Sequence, residues 1–401
     1  MKTASPAFLT AREAAAELSV SPATLYAYVS RGLVRSEPVG DGRARRYRAD
    51  DIRALRARRR SSGAVQPSAE AAIPVLDTTI STITEAGPVY RGVPAVALAE
   101  AATVEQAATL LWDARRADPF DAANLPVLDD AMHAILAAAK EAKPLPRAIA
   151  VLALASDADP RAHNRSAEGR AATGARVMRL VTAAILGTAP SPLPIHRQVA
   201  SAWAKDHPAA EDLLRRALVL LADHELNAST WTARCAASTG VSLYDAVIAG
   251  LAALKGPRHG GAGPLAARMV AELGGGDVAA SIADRVALGE PIPGFGHTVY
   301  VDGDPRADVL LRALSAAGAD SRLVADVPRL VTEGTGLYPN IDYALAVLMR
   351  TLGLPVGYEM ALFAIARTSG WIAHAIEQLQ SGILIRPRAR YVCPEAGRSG
   401  D

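Results

Sequence analysis

Apolar positions recur along most of this chain at intervals of three and four residues. Over 211–222, Leu214, Leu218 and Leu221 fall on one helical face. Ile341, Leu345, Leu348 and Leu352 do the same between Asn340, a suitable N-cap, and Gly353, a suitable stop. The longest pattern predicts a helix from about Glu359 to Gln380, with Ile365, Thr368, Ile372, Ile376 and Leu379 on one face. Arg367 and Trp371 share a different face of that helix, the one turned toward a site. Half of the residues are hydrophobic and only 4% aromatic, with alanine abundant, so the expected core is helical and built of small side chains. The expected class is all-α, and 401 residues suffice for two or three domains. No internal repeat or low-complexity tract interrupts the pattern.

The first 63 residues read differently. Thr10 and Glu13 form a capping box that opens a short helix running through Leu18. Ser21 and Pro22 supply the N-cap and first position of a second helix ending at Gly32. Leu25 and Val29, four apart, suit the buried face of this second helix, while Thr24, Tyr26, Ala27 and Tyr28 include the side chains expected to meet a DNA groove. The segment GDGRARRYRADDI then predicts a hairpin wing in which Arg43, Arg45, Arg46 and Arg48 surround Tyr47 and contact phosphates. The overall charge of +2 conceals the asymmetry: residues 1–63 carry 13 Lys and Arg against 6 Asp and Glu, the remainder 30 against 35. The succession LTAREAA, SPATLYAYVSRGLV, RRYRADDI resembles the helix-turn-helix of the MerR and excisionase group, and this implies double-stranded DNA as a partner. The arginine run at 56–60 closes the module, and SSGAVQPSAEAA reads as a flexible linker.

Several other chemistries lack their motifs. Cys235 and Cys393 stand far apart without metal-ligand spacing and are expected as reduced thiols. GGAGP lacks the preceding strand and spacing of a dinucleotide fold, no phosphate-binding GxxxxGK[ST] occurs, and His224-Glu225 is not followed by histidine at 228, so no metal site is expected. The N-terminal MKTASPAF has no apolar run of the signal-peptide type, and no stretch reaches the roughly 18 apolar residues of a membrane span. The expectation is a soluble, cytoplasmic protein without membrane contact.

Chemistry concentrates in three turns: His259 in GPRHGG, His297 in GFGH and Asp342 in PNID. One carboxylate and two imidazoles are the inventory needed to take a proton from carbon beside a carbonyl and stabilise the enolate that forms. Together with DHELNAS (223–229), GFGHTVYVDGDPR (294–306), FAIARTSGWIAHAIEQ (363–378) and IRPRARY (385–391), these segments resemble the citrate synthase family, in family order from about Asp77 to Tyr391.

That resemblance implies large and small helical domains: 74–260 large, 261–352 small and mobile, and 353–393 completing the large one. The helix-turn-helix domain at 1–63 and a linker at 64–73 precede them, and a tail follows at 394–401. It implies that Asp342 is the general base removing a proton from the acyl thioester, that His259 bonds the thioester oxygen, and that His297 polarises the ketone of the oxo acid. Asp342, near a helix N-terminus, is expected to stay ionised in the helix dipole. Arg306, Arg367 and His224 would hold oxaloacetate, with Arg386 reaching in from the other subunit of a homodimer. The implied reaction is condensation of acetyl-CoA, a cosubstrate, with oxaloacetate to give citrate and CoA, with no permanently bound cofactor. A 2-methylcitrate synthase using propionyl-CoA is the enzymatic alternative, and a metabolite-sensing transcription regulator with a non-catalytic synthase body the other. The chain departs from the family's Gly-Gly-Ala-Asn-Glu at Gly263 and Pro264, carries Arg258 before the histidine, and has Thr298 and Val301 where basic residues are common. All of these positions lie around the family's CoA site.

Overall fold

The computed structural model describes residues 8–18, 25, 29, 34–38, 45–53, 76–114, 116, 118–274 and 277–388. Contacts divide the chain into two units, Met1–Asp77 and Thr78–Asp401.

In the first unit, Thr10 N donates to Glu13 Oε2 (2.8 Å) and Glu13 N to Thr10 Oγ1 (3.3 Å), so the expected capping box opens helix α1 (Ala11–Leu18). Leu25 and Val29 are both helical, Leu25 fully buried and Val29 packed on the same small core, as their spacing predicts. The other residues expected in the second helix, including Thr24, Tyr26 and Tyr28, lie outside the described residues, as does Arg43. The wing is more than a hairpin. Strand β2 (Ser36–Pro38) and strand β1 (Phe8–Thr10) both pair antiparallel with β3 (Arg45–Arg48), which therefore runs in the centre. Along β3, Tyr47 turns into the core beside Leu9, Leu18, Leu25 and Ile52, while Arg46 on the opposite face and Arg45 at the strand's start are exposed.

Among its described residues, the second unit's regular structure is helical except for one small antiparallel sheet, β4 (Ser81–Thr84), β5 (Gly87–Tyr90) and β6 (Val93–Pro94). The sequence reading expected helix throughout this region; strands of two to four residues are too short for a period-2 signal to show. The sheet has a definite task. Tyr90, fully buried on β5, places its hydroxyl within hydrogen-bond reach of the Val219 and Asp223 carbonyls (both 3.1 Å) and of Asp223 N (3.2 Å), which pins the chain leaving helix α3.

The helices that position the site are α2 (Ala167–Leu186), α3 (Ala210–Leu220), α4 (Ala228–Ala237), α5 (Leu243–Leu254), α6 (Ala262–Leu273), α7 (Pro305–Ala316), α8 (Ile341–Thr351) and α9 (Tyr358–Ser381). Leu214, Leu218 and Leu221 are fully buried along and just beyond α3, and Asn340 caps α8 by accepting from Asp342 N (3.0 Å), as their patterns predict. Helix α9, 24 residues and about 36 Å long, is wrapped by α2, α4, α5 and others, so nearly all of Ala361–Ile376 is buried, not one face. Small residues make this possible. A Cβ at Gly250 of α5 would sit 2.7 Å from the Trp371 ring, and one at Gly174 of α2 would sit 2.9 Å from Ile372. A second group forms where α6 and α7 pack on α8.

Among the described residues no helix is long and apolar enough to cross a membrane. Cys235 is a free thiol, and Cys393 lies outside the described residues.

Candidate active site

Six of the seven residues expected at the site converge. His224, His259, His297, Arg306, Asp342 and Arg367 line one cavity of about 200 Å3, delivered from three loops and three helices. Arg386, expected to reach in from the other subunit, does not line its own chain's cavity; it is exposed in the segment 383–388 that follows α9. A larger cavity, about 600 Å3, lies beside Asp113, Asp118 and the start of α2, and no histidine lines it.

Asp304 organises one wall. Its carboxylate caps α7 through Arg306 N (3.0 Å), holds Arg306 Nε (3.0 Å) and Nη2 (2.8 Å) in a two-point grip, and accepts from Ile341 N (3.0 Å) at the start of α8. One buried anion thus fixes Arg306 and the helix end that carries Asp342. An aspartate followed by proline is a recognisable helix opening, so this capping role was legible in the sequence; the grip on Arg306 required the fold.

The three imidazoles are held differently. His297 Nδ1 accepts from Val299 N (3.0 Å) and Tyr300 N (3.2 Å), so the neutral ring carries its proton on Nε2. His224 Nε2 meets the Tyr300 hydroxyl at 3.1 Å, and its ring lies 5.7 Å from that of His297. His259 Nε2 lies 2.8 Å from Ser229 Oγ, which also takes the Trp371 indole N–H (3.1 Å) and lies 2.9 Å from Asn227 Oδ1. Trp371 therefore reaches the site at one remove, by fixing the serine that holds His259. Burial, then the Arg306 or Arg367 charge, lowers all three histidines, with His259 pushed down to about 4. They are neutral at pH 7.

Arg367 is the conspicuous donor. It is 1% exposed, Nε donates to Leu221 O (2.9 Å), the guanidinium lies 4.5 Å over the Phe363 ring, and Nη1 is buried with no hydrogen-bond partner. A buried guanidinium N–H without an acceptor is costly unless a ligand supplies one. Burial lowers its affinity for a proton to a pKa of about 10, partly offset by Asp223 and Tyr90, so it remains charged. An anionic ligand satisfies both the charge and the orphaned donor.

Asp342 is a stronger base than its place at a helix N-terminus suggests. Burial pushes its pKa up to about 6, with Asp304 and Glu359 adding to the rise and Arg306 and Arg367 opposing it. The helix N-terminus does not hold the carboxyl down, because loss of water outweighs a dipole worth at most about 2 kcal/mol. At pH 7 it is still mostly ionised, and it is a stronger base than an exposed aspartate.

The sequence reading gave no role to Ser229, Tyr300, Asp304 or Glu359. The first three stand inside motifs that were recognised as segments, and Glu359 gave no signal beyond an acid in the first turn of a helix. Val299 and Val301, 51% and 72% exposed, are aliphatic on the loop following His297. Among the described residues no group of His, Cys, Asp and Glu is placed to hold a metal ion.

In the first unit, Arg45 Nε donates to Ser36 Oγ (2.9 Å), and Arg46 pairs with Glu37 (3.0 Å) while lying 4.3 Å over the Phe8 ring. Both remain exposed, and Arg48 is half-buried on the same strand.

Residues 70–388 match the family described as citrate synthase, C-terminal domain. The chain belongs to the citrate synthase family. Citrate synthase 2 of Bacillus subtilis is 39% identical over 195 residues, 47% of this chain and 52% of that one. 2-Methylcitrate synthase 1 of Corynebacterium glutamicum is 34% identical over 192 residues, 46% of this chain and 50% of that one. The chain thus spans about half the length of the curated relatives it matches. The solved Thermoplasma acidophilum citrate synthase, a ternary complex with carboxymethyl coenzyme A and oxaloacetate, superposes with a TM-score of 0.65 at 26% identity, over 82% of this chain and 97% of that one. Residues 8–60 match a helix-turn-helix domain, which this citrate synthase family member carries ahead of its helical body.

Proposed function

We propose that the chain condenses acetyl-CoA with oxaloacetate to give citrate and CoA. The observation that carries this is the cavity's division of labour: a fixed pair of arginines, one with an orphaned buried N–H, beside a carboxylate of raised basicity and two neutral imidazoles. Arg367 and Arg306 take the carboxylates of the oxo acid, with His224 adding a hydrogen bond. Asp342 removes a proton from the methyl carbon of the thioester, and His259 bonds the thioester oxygen as negative charge gathers there. The carbon so released attacks the ketone carbon, while His297 Nε2–H polarises the ketone oxygen. Water then cleaves the thioester and frees the CoA thiol.

Propionyl-CoA, giving 2-methylcitrate, is the second acyl donor supported by the relatives' names. The body divides, on this reading, into a large part at 74–260 and 353–393 and a small mobile part at 261–352. It works as a homodimer in which Arg386 completes the partner's site; a monomer in sedimentation would contradict this. The N-terminal unit at 1–63 binds double-stranded DNA through Arg45, Arg46 and Arg48 together with Thr24, Tyr26, Tyr28 and Arg43. The helix-turn-helix match also favours a second reading, a regulator whose body binds oxaloacetate without turnover. Release of thiol from acetyl- or propionyl-CoA in the presence of oxaloacetate decides between them.

A further inference from the structure

Glu359 is a buried carboxyl in the cavity that the proposed chemistry leaves without a task. It stands in the first turn of α9, is 1% exposed and lines the cavity with Asp342. Both of its oxygens accept from Gly357 N at 2.9 Å, and among the described residues no cationic side chain is hydrogen-bonded to it. An acid in a first helical turn is ordinarily a solvated surface group. This one has been taken out of water and placed beside another acid.

Gly263 borders both acids. A Cβ built on Gly263 would sit 2.9 Å from Glu359 Cγ and 3.7 Å from Asp342 Oδ1. A side chain at 263 would therefore displace Glu359, and glycine there leaves it room in the cavity wall.

We propose that Glu359 is a positioning residue of this site: wedged over Gly263, its carboxylate fixes the place of Asp342 and sets how strongly Asp342 holds a proton. The proposal rests on the reading of Asp342 as the carbon base. The groups facing Asp342 are Asp304 and Arg306 at the start of α7, Glu359 and Arg367 on α9, His224 after α3, His259 ahead of α6 and His297 ahead of α7. The histidines are neutral, and Arg306 is already engaged by Asp304. Burial raises the Glu359 carboxyl above its ordinary value and the bonds from Gly357 N oppose that rise, so the charge it keeps stands next to the base with no cation bonded to it. Like charge disfavours ionisation of Asp342, in the same direction as its burial, and a stronger base is the better acceptor from a weakly acidic carbon.

Full-length protein and its Glu359→Gln variant are titrated by carboxyl infrared difference spectroscopy, the Asp342 band being the one that Asp342→Asn removes. The expected result is a downward move of the Asp342 midpoint by on the order of one unit. In thiol release the acid limb moves down with it and kcat falls several-fold, while KM for oxaloacetate holds. Glutamine keeps the shape of the side chain and an oxygen for Gly357 N, so a purely structural role leaves both readouts where they were. An unmoved Asp342 band overturns the proposal. Should the glutamine variant not fold, Glu359→Met carries the same titration. The infrared band reads Asp342 with or without turnover, so a protein that releases no thiol counts against the proposed reaction and not against this inference.

Discussion

At the scale of single residues, the decisive quantity is how each side chain is separated from water. His259, His297 and Asp342 were legible because each stands in a short turn flanked by glycine or proline, within a longer motif. Their protonation was not legible, since burial is set by elements distant in sequence. Asp342 shows the consequence for stability. Its folded pKa, about 6, lies above the ordinary 3.8, so the folded chain binds more protons than the unfolded chain between those values. The stability that the neutral carboxyl contributes is complete below about pH 4 and is lost as pH rises toward 6 and beyond. Asp342→Asn, neutral throughout, should therefore be more heat-stable than the wild type at pH 7, by about 3 kcal/mol, and the difference should vanish near pH 4. Thermal melts of both proteins across that range check it, and the histidine contributions, which run in the opposite direction, largely cancel in the comparison. A variant less stable at pH 7 would contradict the burial argument.

At the scale of elements, periodicity found the helices and composition hinted at how closely they pack. Helices α3, α8 and α9 begin and end near where their leucines, isoleucines and caps indicate. The β4–β6 sheet was missed, although Tyr90 on it anchors the segment leading to His224, because short strands are defined by partners and not by their own pattern. The encirclement of α9 was missed for a related reason: a helix buried on all sides has no polar face to distinguish. Packing here leaves no slack. Gly250→Ala, an ordinary gain in helix propensity on an exposed surface, places a methyl 2.7 Å from the Trp371 ring. It should destabilise the fold by about 1–3 kcal/mol. Trp371 holds Ser229, which holds His259, so any turnover should fall together with stability. Denaturant unfolding reads the first effect, and a variant as stable as wild type would mean that α5 and α9 have room to separate.

At the scale of the whole molecule, charge separates a basic stretch at 1–63 from an acidic remainder, and contacts divide the chain between Asp77 and Thr78. If Arg45 and Arg46 grip phosphates, the double alanine variant should bind duplex DNA more weakly, with the salt dependence flattened by about one slope unit per lost contact. Electrophoretic mobility shifts over a salt series check this; binding and slope unchanged from wild type would remove both arginines from the interface. For the helical body, the central claim is that the converged cavity performs carbon–carbon bond formation with Asp342 as base. Thiol release from acetyl- and propionyl-CoA, with oxaloacetate present, compared between wild type and Asp342→Asn, tests it most directly. The account predicts oxaloacetate-dependent release by the wild type that falls about 10²- to 10⁴-fold in the variant, while oxaloacetate binding changes far less. No release by a wild type that still binds oxaloacetate, or equal release by the two proteins, would contradict it.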